Sequence, residues 1–446
     1  MNRLLEDIRN RELLQGRQTV VVGAGRSGRA ASMLLEAMGA RVLLVDSNPE
    51  LTRADLDGLP KTVELEAGAH RPEQFRNAEL VVLSPGVPVR RMADVLAHVP
   101  ARKIVAELEL ASWFTEKPIL AITGSNGKTT TTTLVGEMLR ASGREVFVGG
   151  NIGTPLSEHL LEEKSADVMV LEVSSFQLQN VHLFHPRVAM LLNFSPNHLD
   201  YHADLEEYLT SKLNLFARMG GDDLAVLPRA MRDTLADRDF TNARKIWFGP
   251  EDEEAASFAA PHLPGEHNRS NIAAAWQMVR AMGVTPEQAQ QALHTFHPLP
   301  HRQQPVAEVK GVNFVDDSKA TTLDAVAAAL RSCNGPVRLL LGGVFKGGDV
   351  RKELLPAMRE HVVQVALFGA GREVFEPILK NEFPVTWHPD LEQAVRALHA
   401  DAASGDVILL SPGTASFDLY KGYAARGDHF QRIARGLAKE MAGELP

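Results

Sequence analysis

The chain has 446 residues, 44% of them apolar, with 56 acidic side chains against 47 basic ones and a formal charge of −9 that no basic stripe interrupts. That length asks for more than one domain, and the charge excludes a duplex nucleic-acid binder held by phosphate contacts. A single cysteine, Cys333, excludes an intrachain disulfide, no apolar run nears the ~18 residues of a membrane span, and the opening Met-Asn-Arg-Leu-Leu-Glu has no apolar signal core, so a cytoplasmic protein without membrane insertion is expected.

In chain order, the apolar run Gln18 to Val22 predicts a strand that enters Gly23-Ala-Gly-Arg-Ser-Gly28. A helix through Met38 and a second strand, Arg41 to Val45, follow, with Asp46 at its end. This is a βαβ nucleotide fingerprint: glycines let the backbone approach a diphosphate, and the acid can bind ribose hydroxyls. Read alone it points to NAD or to another nucleotide diphosphate. A further strand, Glu79 to Leu83, stops at Ser84-Pro-Gly-Val-Pro88, and a helix over Ala106 to Phe114 is expected to connect to the next domain.

Pro118 to Thr133 then reads Pro-Ile-Leu-Ala-Ile-Thr-Gly-Ser-Asn-Gly-Lys-Thr-Thr-Thr-Thr-Thr. An apolar strand, a turn with Gly124 and Gly127, and a helix opening on Lys128 and Thr129 form a phosphate-binding loop. The glycines let N–H groups converge on an anion, the lysine adds a point charge, and the threonine hydroxyl can face magnesium. The position six before the lysine is Ile122 and not glycine, so the loop is a shortened variant.

The turn Gly149-Gly-Asn-Ile-Gly153 follows, then a strand, Val168 to Leu171, that ends in Glu172, where a magnesium carboxylate is usually supplied downstream of such a loop. The strand Val188 to Phe194 delivers Ser195-Pro-Asn-His-Leu-Asp200, in which His198 is a metal ligand, a base or a hydrogen-bonded loop histidine. Leu205, Tyr208, Leu209, Leu213 and Phe216 share one helical face, and Lys212 falls within it. Such a lysine either snorkels to water or is desolvated, held partly neutral and open to covalent modification. Glu251 to Ala260 reads as an acidic surface loop. Asn268 and Asn271, three apart near the start of a helix over Ile272 to Met282, either face one ligand or cap that helix.

A proline- and histidine-rich block, His294 to Pro305, precedes a run of strand and helix repeats with strands at Val312 to Val315, Val337 to Leu341, Val363 to Phe368 and Val407 to Leu410, each ending in polar or glycine residues. The fold class expected is α/β in three domains, with boundaries at 1–106, 107–299 and 300–446. The first is Rossmann-like, the second a P-loop ATPase-type parallel sheet, the third Rossmann-like. The last domain is expected to close over the second about a hinge near residues 296 to 304.

The ordered set Gly-Ser-Asn-Gly-Lys-Thr-Thr, Gly-Asn-Ile-Gly, Glu-Val-Ser-Ser-Phe-Gln-Leu, Asn-His-Leu-Asp, Gly-Glu-His-Asn, His-Arg, Asp-Ser-Lys-Ala-Thr and Leu-Ser-Pro-Gly-Thr-Ala-Ser-Phe-Asp resembles the Mur ligases, from about Val20 to Gly427. The last two segments resemble those of the D-glutamate-adding members. The resemblance implies an ATP-dependent ligase that joins D-glutamate to UDP-N-acetylmuramoyl-L-alanine in peptidoglycan precursor synthesis, acting as a monomer. It implies UDP-sugar contacts at Ser27, Asp46, Ser47, Ser84 and Gly86, with Asn151 on the muramoyl part. ATP contacts are implied at Gly124, Asn126, Gly127, Lys128, Thr129, Thr130, Asn268, Asn271, Arg302 and Asp317. Two magnesium sites would draw on Thr129, Glu172, His198 and a carbamylated Lys212, and Lys128, Glu172, His198 and Lys212 would be catalytic. Thr321, Lys346, Ser416 and Tyr423 would receive the amino acid.

Three other readings stand beside it. They are a related ligase adding another amino acid or extending a folate, an NAD-dependent oxidoreductase motivated by Gly23 to Gly28 with Asp46, and a regulatory protein that hydrolyses ATP slowly.

Overall fold

The computed structural model describes residues 14–442 except 88, 163, 196–200, 264–265, 298–299, 334 and 346. The chain forms two compact units, Met1–Phe296 and His297–Pro446. The first unit carries two sheets, the second one.

The first sheet has the order β3-β2-β1-β4-β5, all parallel, from β1 (Gln18–Val22), β2 (Arg41–Asp46), β3 (Glu64–Ala67), β4 (Leu80–Leu83) and β5 (Ile104–Ala106). The helix after the glycine loop spans Arg26–Ala37. β3 was not expected from the sequence: Glu-Leu-Glu-Ala at the sheet edge buries little, so it lacks an apolar signature. The helix expected over Ala106 to Phe114 is shorter, Glu107–Ser112, because Ile104–Ala106 joins the sheet first.

The second sheet, also parallel, has the order β11-β10-β9-β6-β8-β7. Its strands are β6 (Ile119–Thr123), β7 (Val146–Gly150), β8 (Val168–Glu172), β9 (Val188–Leu191), β10 (Leu224–Pro228) and β11 (Arg244–Phe248). Strand order reverses at β6, and ligands of open α/β sheets bind at such a switch, beyond the carboxyl ends of the strands. The helix Lys128–Ala141 starts there and buries Leu134, Val135, Met138 and Leu139 against the sheet. The acidic stretch expected to be a loop contains a short helix, Glu253–Ala256.

The third sheet has the order β12-β13-β17-β14-β15-β16. It comprises β12 (Gln304–Val309), β13 (Val312–Asp316), β14 (Val337–Gly342), β15 (Val362–Phe368), β16 (Val385–His388) and β17 (Val407–Leu410). It is mixed: β12 pairs antiparallel with β13 through a tight turn in which Lys310 and Gly311 have positive φ, and the other strands are parallel. A helix, Tyr423–Ala442, ends the described chain.

Candidate functional site

The glycine loop after β1 is braced by its neighbours. Ser84, at the end of β4, donates its hydroxyl to the Gly23 carbonyl at 2.9 Å, and a Cβ at Gly28 would lie 1.8 Å from that same oxygen, so only glycine fits there. Asp46 turns back to the loop and accepts from the backbone N–H of Ala24 at 2.7 Å and of Asn48 at 2.9 Å. Its carboxylate therefore orders the loop, whatever else it touches. Ser27 is half-buried, and Ser47 and Gly86 are exposed beside it.

The phosphate loop lies between β6 and the helix Lys128–Ala141. Gly127 caps that helix at φ +79°, a conformation that favours glycine. Two amides of the loop are engaged by a neighbouring side chain. The N–H groups of Ser125 and Asn126 donate to Asn193 Oδ1 at 3.1 and 2.9 Å, and Asn193 Nδ2 donates to the Asn126 carbonyl at 3.1 Å. Asn193 thus splints the loop. Sequence reasoning missed it because Asn193 was placed inside a strand running to Phe194, whereas β9 ends at Leu191. Ser125 adds a second splint: its hydroxyl lies 3.0 Å from both Ser195 N and Ser195 O, and 3.2 Å from the Tyr208 hydroxyl. Lys128 Nζ donates to the Gly124 and Ser125 carbonyls at 2.9 Å each.

Glu172, at the end of β8, is 2% exposed. Its carboxylate accepts from the Thr129 hydroxyl at 2.7 Å and from Asn151 Nδ2 at 2.7 Å. The turn carrying Asn151 approaches closely, since a Cβ on Gly150 (φ +92°) would lie 2.5 Å from the Glu172 carbonyl oxygen. A buried carboxylate held by neutral donors beside a hydroxyl is an oxygen-rich set that fits a hard divalent cation such as magnesium. Thr129 and Glu172, predicted from opposite ends of one stretch of sequence, are therefore brought together. Thr130 is half-buried on the same helix start. His198 lies outside the described residues.

Lys212 sits on the helix Leu205–Leu213, which Asp204 caps by accepting from Glu207 N at 2.8 Å. Of the apolar face predicted there, Tyr208, Leu209, Leu213 and Phe216 are buried, but Leu205, in the first turn, is 38% exposed. Lys212 does not snorkel. At 1% exposure it donates to the Gly124 carbonyl at 2.9 Å and lies 4.5 Å from the centre of the Tyr208 ring. Burial, then the nearby Lys128 charge, holds its amine well below the usual lysine range.

Asn268 and Asn271 lie within the helix Glu266–Arg280, which begins earlier than expected, so Asn271 does not cap it. Asn271 Nδ2 donates to Asn268 Oδ1 at 3.3 Å, and Asn271 Oδ1 lies 2.5 Å from where a Cβ on Gly127 would stand. It abuts the phosphate loop.

In the second unit, Asp317 accepts from the Ser411 hydroxyl at 2.8 Å and from Gln303 N at 3.2 Å, where β13 and β17 end together. Burial pushes its carboxyl up to about 7. His301 and Gln303 hold positive φ on either side of Arg302, and His301 Nδ1 lies 2.7 Å from the buried Asp316 carboxylate, so Arg302 is presented from a fixed segment. Ser416 is buried, Thr321 half-buried, and Tyr423 is 39% exposed. Lys346 lies outside the described residues.

A parallel sheet whose switch point carries a lysine-threonine phosphate loop, a buried carboxylate on the next strand end and a flanking nucleotide-type βαβ sheet defines a nucleotide-dependent group-transfer enzyme. Residues 17–104 match the Mur ligase MurD-like N-terminal domain, 122–261 the Mur ligase middle domain and 301–413 the Mur ligase glutamate ligase domain. The chain belongs to the Mur ligase family and is a ligase. It is 48% identical over 439 residues to the UDP-N-acetylmuramoylalanine–D-glutamate ligase of Desulfovibrio desulfuricans, covering 97% of this chain and 100% of that one. It is 43% identical to the ligase of the same name from Lawsonia intracellularis, over 95% of each chain. Among solved structures it resembles the MurF ligase of Thermotoga maritima in complex with ADP, with a TM-score of 0.57 at 18% identity, covering 99% of this chain and 100% of that one, a likeness of fold. The first domain is thus the N-terminal domain of a Mur ligase, which displaces the oxidoreductase reading of its glycine loop. Among the described residues no helix is long and apolar enough to cross a membrane.

Proposed function

We propose that this enzyme joins D-glutamate to UDP-N-acetylmuramoyl-L-alanine at the expense of ATP, in the cytoplasm and as a monomer, with domains at 1–106, 107–299 and 300–446. The observation that carries the choice of substrates is the 48% identity to a ligase of that name along its whole length. The geometry around Glu172 supports the chemistry.

A carboxylate is a poor acylating agent. The alanyl carboxylate of the sugar nucleotide attacks the γ-phosphorus of ATP, the bond to the β,γ-bridging oxygen breaks and ADP leaves. The neutral amine of D-glutamate then adds to the acyl carbon, and phosphate departs from the tetrahedral intermediate. Two anions meet in the first step. Lys128 and the N-terminus of its helix offset that repulsion. Magnesium, when bound, would neutralise phosphate charge, and Thr129 and Glu172 would hold it. His198 and Lys212, as a carbamate, are assigned to the same metal sites, and Asn151 to the muramoyl group. Gly124, Asn126, Gly127, Thr130, Asn268, Asn271, Arg302 and Asp317 are assigned to ATP. Ser27, Asp46, Ser47, Ser84 and Gly86 are assigned to UDP, and Thr321, Lys346, Ser416 and Tyr423 to the amino acid.

The test is ADP release from magnesium ATP and UDP-N-acetylmuramoyl-L-alanine with D-glutamate, L-glutamate or no amino acid. Stimulation by D-glutamate alone is expected. Stimulation by L-glutamate, or by neither, refutes the proposed acceptor.

A further inference from the structure

The largest fully buried side chain among the described residues is a cation. Arg426, in the first turn of the helix Tyr423–Ala442, has no exposed surface and forms no ion pair among the described residues. A buried guanidinium is costly unless its donors are met. Here four of its five N–H donors are met by neutral oxygens from three separate segments. Nε donates to Ser318 Oγ at 3.0 Å, Nη2 to Ser318 O at 2.9 Å and to Thr414 O at 3.2 Å, and Nη1 to Gly342 O at 3.2 Å. Gly342 is the last residue of β14, and Ser318 and Thr414 follow the carboxyl ends of β13 and β17. Burial lowers the guanidinium only to about 10, so it remains charged at neutral pH.

The three segments also meet through backbone bonds: Gly413 N donates to the Ala320 carbonyl at 2.9 Å, Val344 and Ala415 exchange bonds at 2.8 and 2.9 Å, and Gly342 N donates to the Pro412 carbonyl at 3.3 Å. The Ser318 hydroxyl donates to the Tyr423 carbonyl at 2.7 Å, and the Thr414 hydroxyl donates to Gly342 O at 2.6 Å. Gly343, at φ +126°, leaves its Cβ position 2.2 Å from the Ala415 carbonyl, so backbone packs on backbone there without side chains between. The planar fork of one guanidinium adds side-chain bonds to these same segments; Ser318 lies three residues before Thr321, Thr414 two before Ser416, and Tyr423 three before Arg426 on its helix. A lysine amine radiates its donors from one point and cannot reach three carbonyls so spaced.

We propose that Arg426 is a positioning residue of the acceptor site: through its fork it sets the relative placement of Thr321, Ser416 and Tyr423, and so the affinity for an amino dicarboxylate. This rests on the ligase reading above.

The test uses full-length Arg426→Lys and the milder Ser318→Ala, assayed by ADP release and by thermal unfolding. Arg426→Lys is expected to raise the KM for D-glutamate about tenfold or more. Ser318→Ala, which loses the hydroxyl joining Arg426 to Tyr423, is expected to raise it about threefold. The KM for the sugar nucleotide, whose assigned contacts lie in the first unit, should stay within about twofold. A folded variant with an unchanged KM for D-glutamate, or one whose KM for the sugar nucleotide rises as much, overturns the proposal. If Arg426→Lys does not fold, Ser318→Ala decides by the same criteria. Wild-type protein that shows no D-glutamate-dependent ADP release overturns the ligase reading itself, and the acceptor site named here with it.

Discussion

Lys212→Ala separates chemistry from stability. The wild-type amine is buried, donates to the Gly124 carbonyl and lies near a second cation, Lys128, so its neutral form is favoured. A neutral amine adds to carbon dioxide, forming an N–C bond and releasing one proton, and the product is an anion beside the phosphate loop. Alanine removes three methylenes, worth about 0.8 kcal/mol each, and one hydrogen bond. It also removes an amine whose burial is itself unfavourable, so the net loss of stability should be only about 1–2 kcal/mol. Activity should fall far more, by about 10²–10³, the usual effect of deleting one preorganised electrostatic partner. The assay is ADP release at saturating substrates with formate, acetate or propionate added back, together with a urea titration. A short carboxylate that fits the space vacated should restore at least about tenfold. Full activity in the variant would refute the carbamate. So would a loss that no carboxylate relieves in a protein of nearly native stability.

Glu172→Gln keeps the shape of the site, since a carboxamide can accept from Asn151 and donate to Thr129. It should leave stability within about 1 kcal/mol while activity falls about 10²-fold; calorimetry of ADP binding with and without magnesium should lose the magnesium-dependent gain, and a retained gain would contradict the metal role. Gly127→Ala forces a side chain into a φ of +79° and against Asn271 Oδ1, so the KM for ATP should rise at least about tenfold in a folded protein. Asp317 titrates higher when folded, about 7 against 3.8, so the folded state binds the extra proton. Its contribution is present below pH 3.8 and is lost as pH rises towards 7, at up to about 1.4 kcal/mol per pH unit. The stability gap between Asp317→Asn and wild type, from urea midpoints, should therefore widen in favour of asparagine from pH 5 to 7 and flatten above; parallel curves would rule this out.

The parts of the site legible in the sequence are those that break a local pattern. Glycines in a βαβ context, a lysine on an apolar helix face and an acid closing an apolar strand all stand out from the residues around them in the chain. What was illegible depends on neighbours in space. Asn193 looks like one more residue of a strand until β9 stops at Leu191, Leu192 N pairs with the Thr123 carbonyl and the chain turns to meet the phosphate loop. Arg426 looks like one of many arginines on a polar helix face. β3 and β16 escaped because edge strands bury little and carry mixed residues. β12 escaped because it is an antiparallel addition to a parallel pattern. β10, Leu-Ala-Val-Leu-Pro, carries a strand signal that the expectations above omit.

The threonine run at the start of the helix Lys128–Ala141 shows why such conflicts are informative. Thr129 to Thr133 are β-branched, and each costs a helix about 0.5 kcal/mol relative to alanine. Thr131 and Thr132 are wholly buried, and their hydroxyls find no partner among the described residues, which burial makes worse. A sequence selected for helix stability alone would not keep them. The helix is instead held by Leu134, Val135, Met138 and Leu139 against the sheet. That packing tolerates an unfavourable first turn, and the first turn is where Thr129 must meet Glu172. The core thus stabilises the end of the helix that does no chemistry, so that its N-terminus can be composed for phosphate and metal.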